Sequence, residues 1–155
     1  MKKTNSQLSK LSLALQPTQA NETDKHYEYV CDATSCQLNT SYDKVDSAYF
    51  CNGGAKTSII TNENYSMTVS IDYDPTKESH KYLKSLMVAG AAACNNQYVR
   101  LEVMLDENNT TWTTLSGKSC IQFKSFPPSG GAAELAKIEF DIFPQDANWV
   151  WGTRQ

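Results

Sequence analysis

Glu139 and Asp141 stand two positions apart in Lys137-Ile138-Glu139-Phe140-Asp141-Ile142-Phe143, so in an extended chain both carboxylates face one side. Paired acids are the minimum equipment for glycoside hydrolysis, which needs one carboxyl desolvated as the acid and its partner ionised. Nothing near these two separates their environments, and their alternation with Ile138, Phe140 and Ile142 reads as the wet face of a strand. Cys31 and Cys36 are close enough to suggest zinc, but no second pair repeats their spacing and only His26 and His80 could complete a set. His80 beside Glu78 and Lys81, and His26 near Asp24, read as exposed side chains. Gly53-Gly54 lacks the Lys-Ser/Thr and following helix of a phosphate loop, and reads as a turn. No nucleophile elbow, zinc-protease helix or dinucleotide fingerprint occurs. Neither an enzyme nor a cofactor or metal site is expected.

The elements that would carry these residues are mainly strands. Tyr65, Met67, Val69 and Ile71 alternate with Ser66, Thr68 and Ser70, the period of a half-buried antiparallel strand. Asp74-Pro75 ends that strand and predicts a helix over about 75–90 with Asp74 as its N-cap and Gly90 as its stop. Tyr82, Leu83, Leu86 and Met87 would form the stripe laid on the sheet. Further strands are predicted over 27–31, 48–51, 57–60, 97–106, 110–115, 119–126 and 135–143, with turns at Asn52-Gly53-Gly54, 106–109 and 127–131. Residues 32–47 read as a long polar connection, of a length that is usually functional. The fold class expected is therefore an antiparallel β-sandwich or barrel with one flanking helix.

Residues 1–25 read as an extended N-terminal arm, polar apart from Leu8, Leu11, Leu13 and Leu15, leaving 26–155 as one β domain. Four leucines offset little of the entropy of ordering such a segment, so a neighbouring copy of the chain is the expected partner, with folding back on its own domain the alternative. Ser9, Lys10, Ser12 and Gln16 interrupt the apolar core that a signal peptide needs, and no run approaches the ~18 apolar residues of a transmembrane helix. Five cysteines at irregular spacing argue against a complete disulfide framework. With 155 residues and a formal net charge of -3, the chain lacks the basic stripe that duplex binding requires.

The order Phe50-Cys51-Asn52-Gly53-Gly54, a Thr-led alternating strand, Asp74-Pro75 and a helix resembles the tail tube (major tail) proteins of long-tailed bacteriophages. The likeness extends over roughly residues 27–152, through the closing hairpin 119–143 and Trp149-Val150-Trp151-Gly152. It implies a non-enzymatic virion protein, assembled in the host cytoplasm, whose hexameric rings close an inner β-barrel and stack into a tube. It also implies that residues 33–46 form a loop or hairpin reaching the adjacent ring. Tape measure, terminator and baseplate proteins would be further partners, and double-stranded DNA would pass through without specific binding. Leu8, Leu11, Leu13, Leu15, Trp149 and Trp151 are the expected subunit contacts, and Glu102, Glu139 and Asp141 the expected lining of an electronegative bore. Two alternatives stay open. One is a carbohydrate-binding β-sandwich using Trp112, Trp149 and Trp151 as stacking platforms; the other is a baseplate, terminator or injection-system tube protein of the same fold.

Overall fold

A computed structural model describes residues 9–30, 33–48, 53–105, 110–127 and 135–154. Its strands are β1 (Ser9–Ala14), β2 (Tyr27–Tyr29), β3 (Ala33–Ala48), β4 (Lys56–Asp72), β5 (Gln97–Val103), β6 (Trp112–Ser125), β7 (Lys137–Pro144) and β8 (Val150–Arg154), with one helix, α1 (Glu78–Ala89). All pairings are antiparallel, in the order β2-β1-β5-β6-β7-β4-β3, with β8 also on β6. Leu11 and Leu13 of β1 share one buried cluster with Met67, Val69 and Ile71 of β4, although three strands separate β1 from β4 in the sheet. The sheet therefore folds over on itself, as a sandwich does, and Leu83 and Leu86 of α1 join the same core.

The alternation in β4 and β7 holds: Met67, Val69, Ile71, Ile138, Phe140 and Ile142 are all buried, and Glu139 is exposed. In β5 it holds only in part. The strand expected at 97–106 alternates Val99, Leu101, Val103 and Leu105 against Tyr98, Arg100, Glu102 and Met104; Val99 and Leu101 are buried, but Glu102 is buried too, and past the end of β5 Met104 is buried and Leu105 exposed. The reason is lateral crowding: β5 is central, so Glu102 lies between Lys10 of β1 and Thr114 of β6 as cross-strand partners.

The N-terminal reading needs correction over the described part of the arm. β1 pairs with β5 through Ser9↔Val103 to Leu13↔Val99 and with β2 on its other side, so residues 9–14 are interior sheet. Leu11 is 4% exposed and Leu13 fully buried, and the chain's own β5 edge supplies their partners. Hydrogen-bonding that edge satisfies a row of otherwise unpaired groups, a gain that four leucines alone do not reveal. Leu15 is half-buried just past the strand; Leu8 lies outside the described residues.

Where it is described, from Ala33 on, the polar connection expected at 32–47 is instead a strand running to Ala48, and it pairs with a β4 that takes in the strand expected at 57–60; of the strand expected at 48–51 only Ala48 is described. β3 and β4 pair from Ala33↔Ile71 out to Ala48↔Lys56, and Gly53 and Gly54 hold φ of 65° and 80° near the turn. Residues 49–52, and with them Cys51 and Asn52, lie outside the described residues, as do Cys31, the turn at 106–109 and most of that at 127–131.

α1 begins later than expected. Asp74 caps a turn ahead of the helix, its Oδ1 accepting from Thr76 N–H (2.9 Å) and Thr76 Oγ1 (2.7 Å), and these bonds hold its carboxyl below the ordinary value. Lys77 is the N-cap residue and gives no side-chain cap. Gly90, at φ 102°, stops the helix, and a 3-10 turn runs through Ala91–Cys94. The buried stripe is Ser79, His80, Leu83 and Leu86, rotated from the expected one, so Met87 faces out. His80, read as exposed, is fully buried: its Nδ1 accepts the Asp74 N–H at 2.8 Å and its ring stacks on Tyr73. It closes the strand-to-helix corner.

Candidate assembly surfaces

β7 supports β4 only from Asp72 back to Met67. Beyond that point β3 and β4 continue as a two-stranded ribbon, and from Lys56 to Tyr65 alone it reaches about 30 Å at roughly 3.3 Å per residue. Every side chain from Gly53 to Asn64 is exposed. Val45 pairs with Ile59 and Lys44 with Ile60, so consecutive positions put apolar groups on opposite faces of the ribbon. Tyr42, Val45, Ile59 and Ile60 are each more than half exposed. A bulge between Asp43 and Lys44 shifts the register there. Ser58 Oγ to Asp46 Oδ1 (2.5 Å) and Thr61 Oγ1 to the Asp43 carbonyl (3.2 Å) tie the strands together.

The ribbon's neck is held by the C-terminal segment. The Tyr65 hydroxyl donates to Glu63 and accepts from the Trp151 indole N–H at 3.1 Å, while Asn148 Nδ2 donates to the Glu63 carbonyl at 3.0 Å. The Tyr65 ring lies parallel to that of Trp149 and meets that of Trp151 edge-on, both at 6.3 Å between centroids. Glu63, by accepting a hydrogen bond from the neutral phenol, pushes Tyr65 above its ordinary pKa.

Trp149 and Trp151 thus have different fates. Trp149 is 3% exposed, its indole N–H spent on Ser119 Oγ at 2.9 Å. β7 and β8 lie along the same edge of β6, and the chain between them leaves the ladder to place Trp149 over Gly117. A Cβ at residue 117 would sit 2.8 Å from the indole, so the glycine makes room for the ring. Trp151 remains partly exposed beside the neck. As a sugar platform the tryptophan set fails on this geometry, because Trp149 is buried and the Trp112 ring is covered by the Lys10 ammonium at 4.8 Å.

The three carboxylates proposed for a bore do not form one surface. Glu102, with 2% of its side chain exposed, pairs with Arg154 Nη1 (2.5 Å) and Arg100 Nε (3.3 Å), and its attraction raises Arg154 further. Arg100 in turn lies 4.4 Å from the centre of the Tyr27 ring. In the single chain Glu102 is a structural ion-pair centre, and its outward reading on strand alternation alone was incomplete. Glu139 and Asp141 do share a face, across from Ser70 and Thr68 on β4. Lys124 approaches Asp141 at 3.4 Å, and Asp141 Oδ1 is buried without a hydrogen bond. The serine and threonine neighbours and the lysine give this face a mixed polar character. The Arg154 partner and the Tyr65 grip on Trp151 were missed from sequence, since both join residues far apart in the chain. Gly117 fell between the strands expected at 110–115 and 119–126, which the structure joins in β6, so its close approach to Trp149 was missed as well.

No group of three or more potential metal ligands occurs among the described residues, and Cys36, Cys94 and Cys120 are free thiols.

No family model matches the sequence, and no curated protein matches it. Among solved structures, a chain from the tail of an empty gene transfer agent particle with C6 symmetry superposes at a TM-score of 0.65, with 11% identity, over 99% of this chain and 100% of that one. This chain shares the fold of that tail chain. A sheath/tube terminator of an extracellular contractile injection system gives a TM-score of 0.59 at 10% identity, over 100% of this chain and 99% of the other. The tube-terminating cap of the anti-feeding prophage gives 0.60 at 11%, over 100% and 93%.

Proposed function

We propose that this chain is a structural virion protein that assembles with copies of itself into rings, hexameric by analogy with its C6 neighbour, stacked as a tail tube. The observation that carries the reading is the ribbon: two paired strands with apolar side chains on both faces and, among the described residues, no further layer packed on either face. An isolated hairpin of this kind is marginal in water, and exposed edges invite pairing with another chain. Rings close through heterologous contacts that rotate, and tubes extend through contacts that translate. A ribbon pointing away from the body suits the second kind. The end-to-end fold likeness to tail, terminator and cap components supports the same reading.

In such a tube the Glu139 and Asp141 face lines the bore, where like charge keeps duplex DNA from adhering as it is ejected into the host. Tape measure, terminator and baseplate proteins are the partners at the tube ends. Half-buried Leu15 and partly exposed Trp151 remain as subunit contacts from the original set; Leu11, Leu13 and Trp149 serve the core. Negative-stain microscopy of the purified protein at high concentration tests the proposal. Rings or hollow tubes are expected. A monodisperse globule, with no polymer in lysates or virions, overturns it.

A further inference from the structure

The β7 ladder stops supporting β4 at Met67, and the next inward-facing residue of β4 is Tyr65. At that point a different segment takes over. Asn148 reaches the Glu63 backbone, Trp151 reaches the Tyr65 hydroxyl, and Trp149 stacks on the Tyr65 ring from a site fixed by Ser119 and Gly117. Three contacts from one short stretch therefore converge on the two residues where the ribbon leaves the body. The ribbon beyond them makes no other side-chain bond to the body among the described residues.

We propose that Tyr65, Asn148 and Trp151 form a clamp that sets the direction in which the ribbon leaves the body, and so where Val45, Ile59 and Ile60 are presented to a second copy of this chain. The clamp stands on intramolecular geometry; what the ribbon meets rests on the assembly reading above. A two-stranded ribbon twists and bends easily when neither face is packed. With one pivot, its far end sweeps a wide arc. Two hydrogen bonds and an edge-on ring contact, made at two successive inward positions of the neck, Glu63 and Tyr65, remove that freedom. Tyr65 is the keystone because its oxygen both donates to Glu63 and accepts from Trp151, joining ribbon to C-terminal strand through one atom. Trp151 and Asn148 are at the surface, so loosening the clamp leaves the core intact. These are positioning residues.

The test places spin-labelled unnatural amino acids at Lys56, near the ribbon tip, and at Lys84 on α1, leaving the cysteines untouched, and measures the interspin distance distribution by pulsed EPR. Trp151→Phe combined with Asn148→Ala should broaden and shift that distribution while the thermal unfolding midpoint of the body stays in place. Trp151→Phe and Tyr65→Phe delete the same hydrogen bond, so the double variant should broaden no more than the larger single one. An unchanged distribution in the Trp151→Phe, Asn148→Ala variant overturns the clamp. Assembly is scored in parallel by microscopy. If the wild type forms tubes and the loosened variant forms them equally fast and with equal spacing, the clamp's role in presentation is overturned. If the wild type forms no tubes yet the distribution responds, the clamp is upheld and the assembly reading is the part that fails.

Discussion

β4 is one strand living two lives. From Met67 to Asp72 it is flanked by β3 and β7, and its side chains alternate strictly between buried and half-buried. From Lys56 to Asn64 it has β3 alone, and every side chain is exposed. The backbone ladder is the same in both halves. What differs is whether a third strand and an opposing layer exist to receive one face. In the inner half, Met67-Thr68-Val69-Ser70-Ile71 matches the pleat, so one face is committed to the core. In the outer half, Ile59-Ile60 puts an aliphatic group on each face, a pattern that no single core can absorb. The inner half is packed within the chain; the outer half is not, and under the proposed assembly it is the part that meets another copy.

Substitutions in the two halves should therefore separate stability from assembly. The largest stability loss is expected for Phe140→Ala, which empties the floor under the inner half: about 3–5 kcal/mol in denaturant unfolding. Glu102→Lys strands Arg100 and Arg154 beside a third cation and should cost about 3 kcal/mol in the same measurement, with Glu102→Gln milder. Gly117→Ala drives a methyl into the Trp149 indole, and about 1–3 kcal/mol is expected, together with a changed tryptophan emission spectrum. Val45→Ser with Ile59→Ser, in the outer half, should move the unfolding free energy by less than about 0.5 kcal/mol yet abolish tubes in the microscope. If that pair instead unfolds the protein, the division between the two halves is wrong. Finally, Glu139→Lys with Asp141→Lys, which also breaks the Lys124 pair, should leave tubes formed while slowing DNA ejection; an unchanged ejection rate removes that face from the bore.

Much of the sheet was legible because antiparallel strands with one wet face write their period into the chain. The 65–71 alternation, the Ile138-Phe140-Ile142 face, the Gly53-Gly54 turn and the Gly90 stop all appear where the residues put them. In the ribbon the strand at 57–60 was legible, but β3 was not, because periodicity records burial and β3 has almost none: only Leu38, Asn39 and Ser47 of its residues are even half-buried. Its strand state comes from pairing with β4, a partner that local propensity does not name. β1 failed for a related reason. Ser9 to Ala14 looks like any polar arm with leucines, and its place between β2 and β5 depends on a free edge contributed by residues nearly ninety positions later.

Composition, periodicity and turn chemistry determined by themselves that this protein is a β-sheet body with one helix, and they marked which faces of β4 and β7 turn inward. Tertiary structure alone decided that Leu11 and Leu13 belong to the core, that His80 closes a corner, that Glu102 answers two arginines, and that Tyr65 meets Trp151. The physical reason is range. Alternation and capping are set by neighbours a few bonds away, whereas a buried charge or a clamped hairpin is defined by groups that meet only after the chain has folded over.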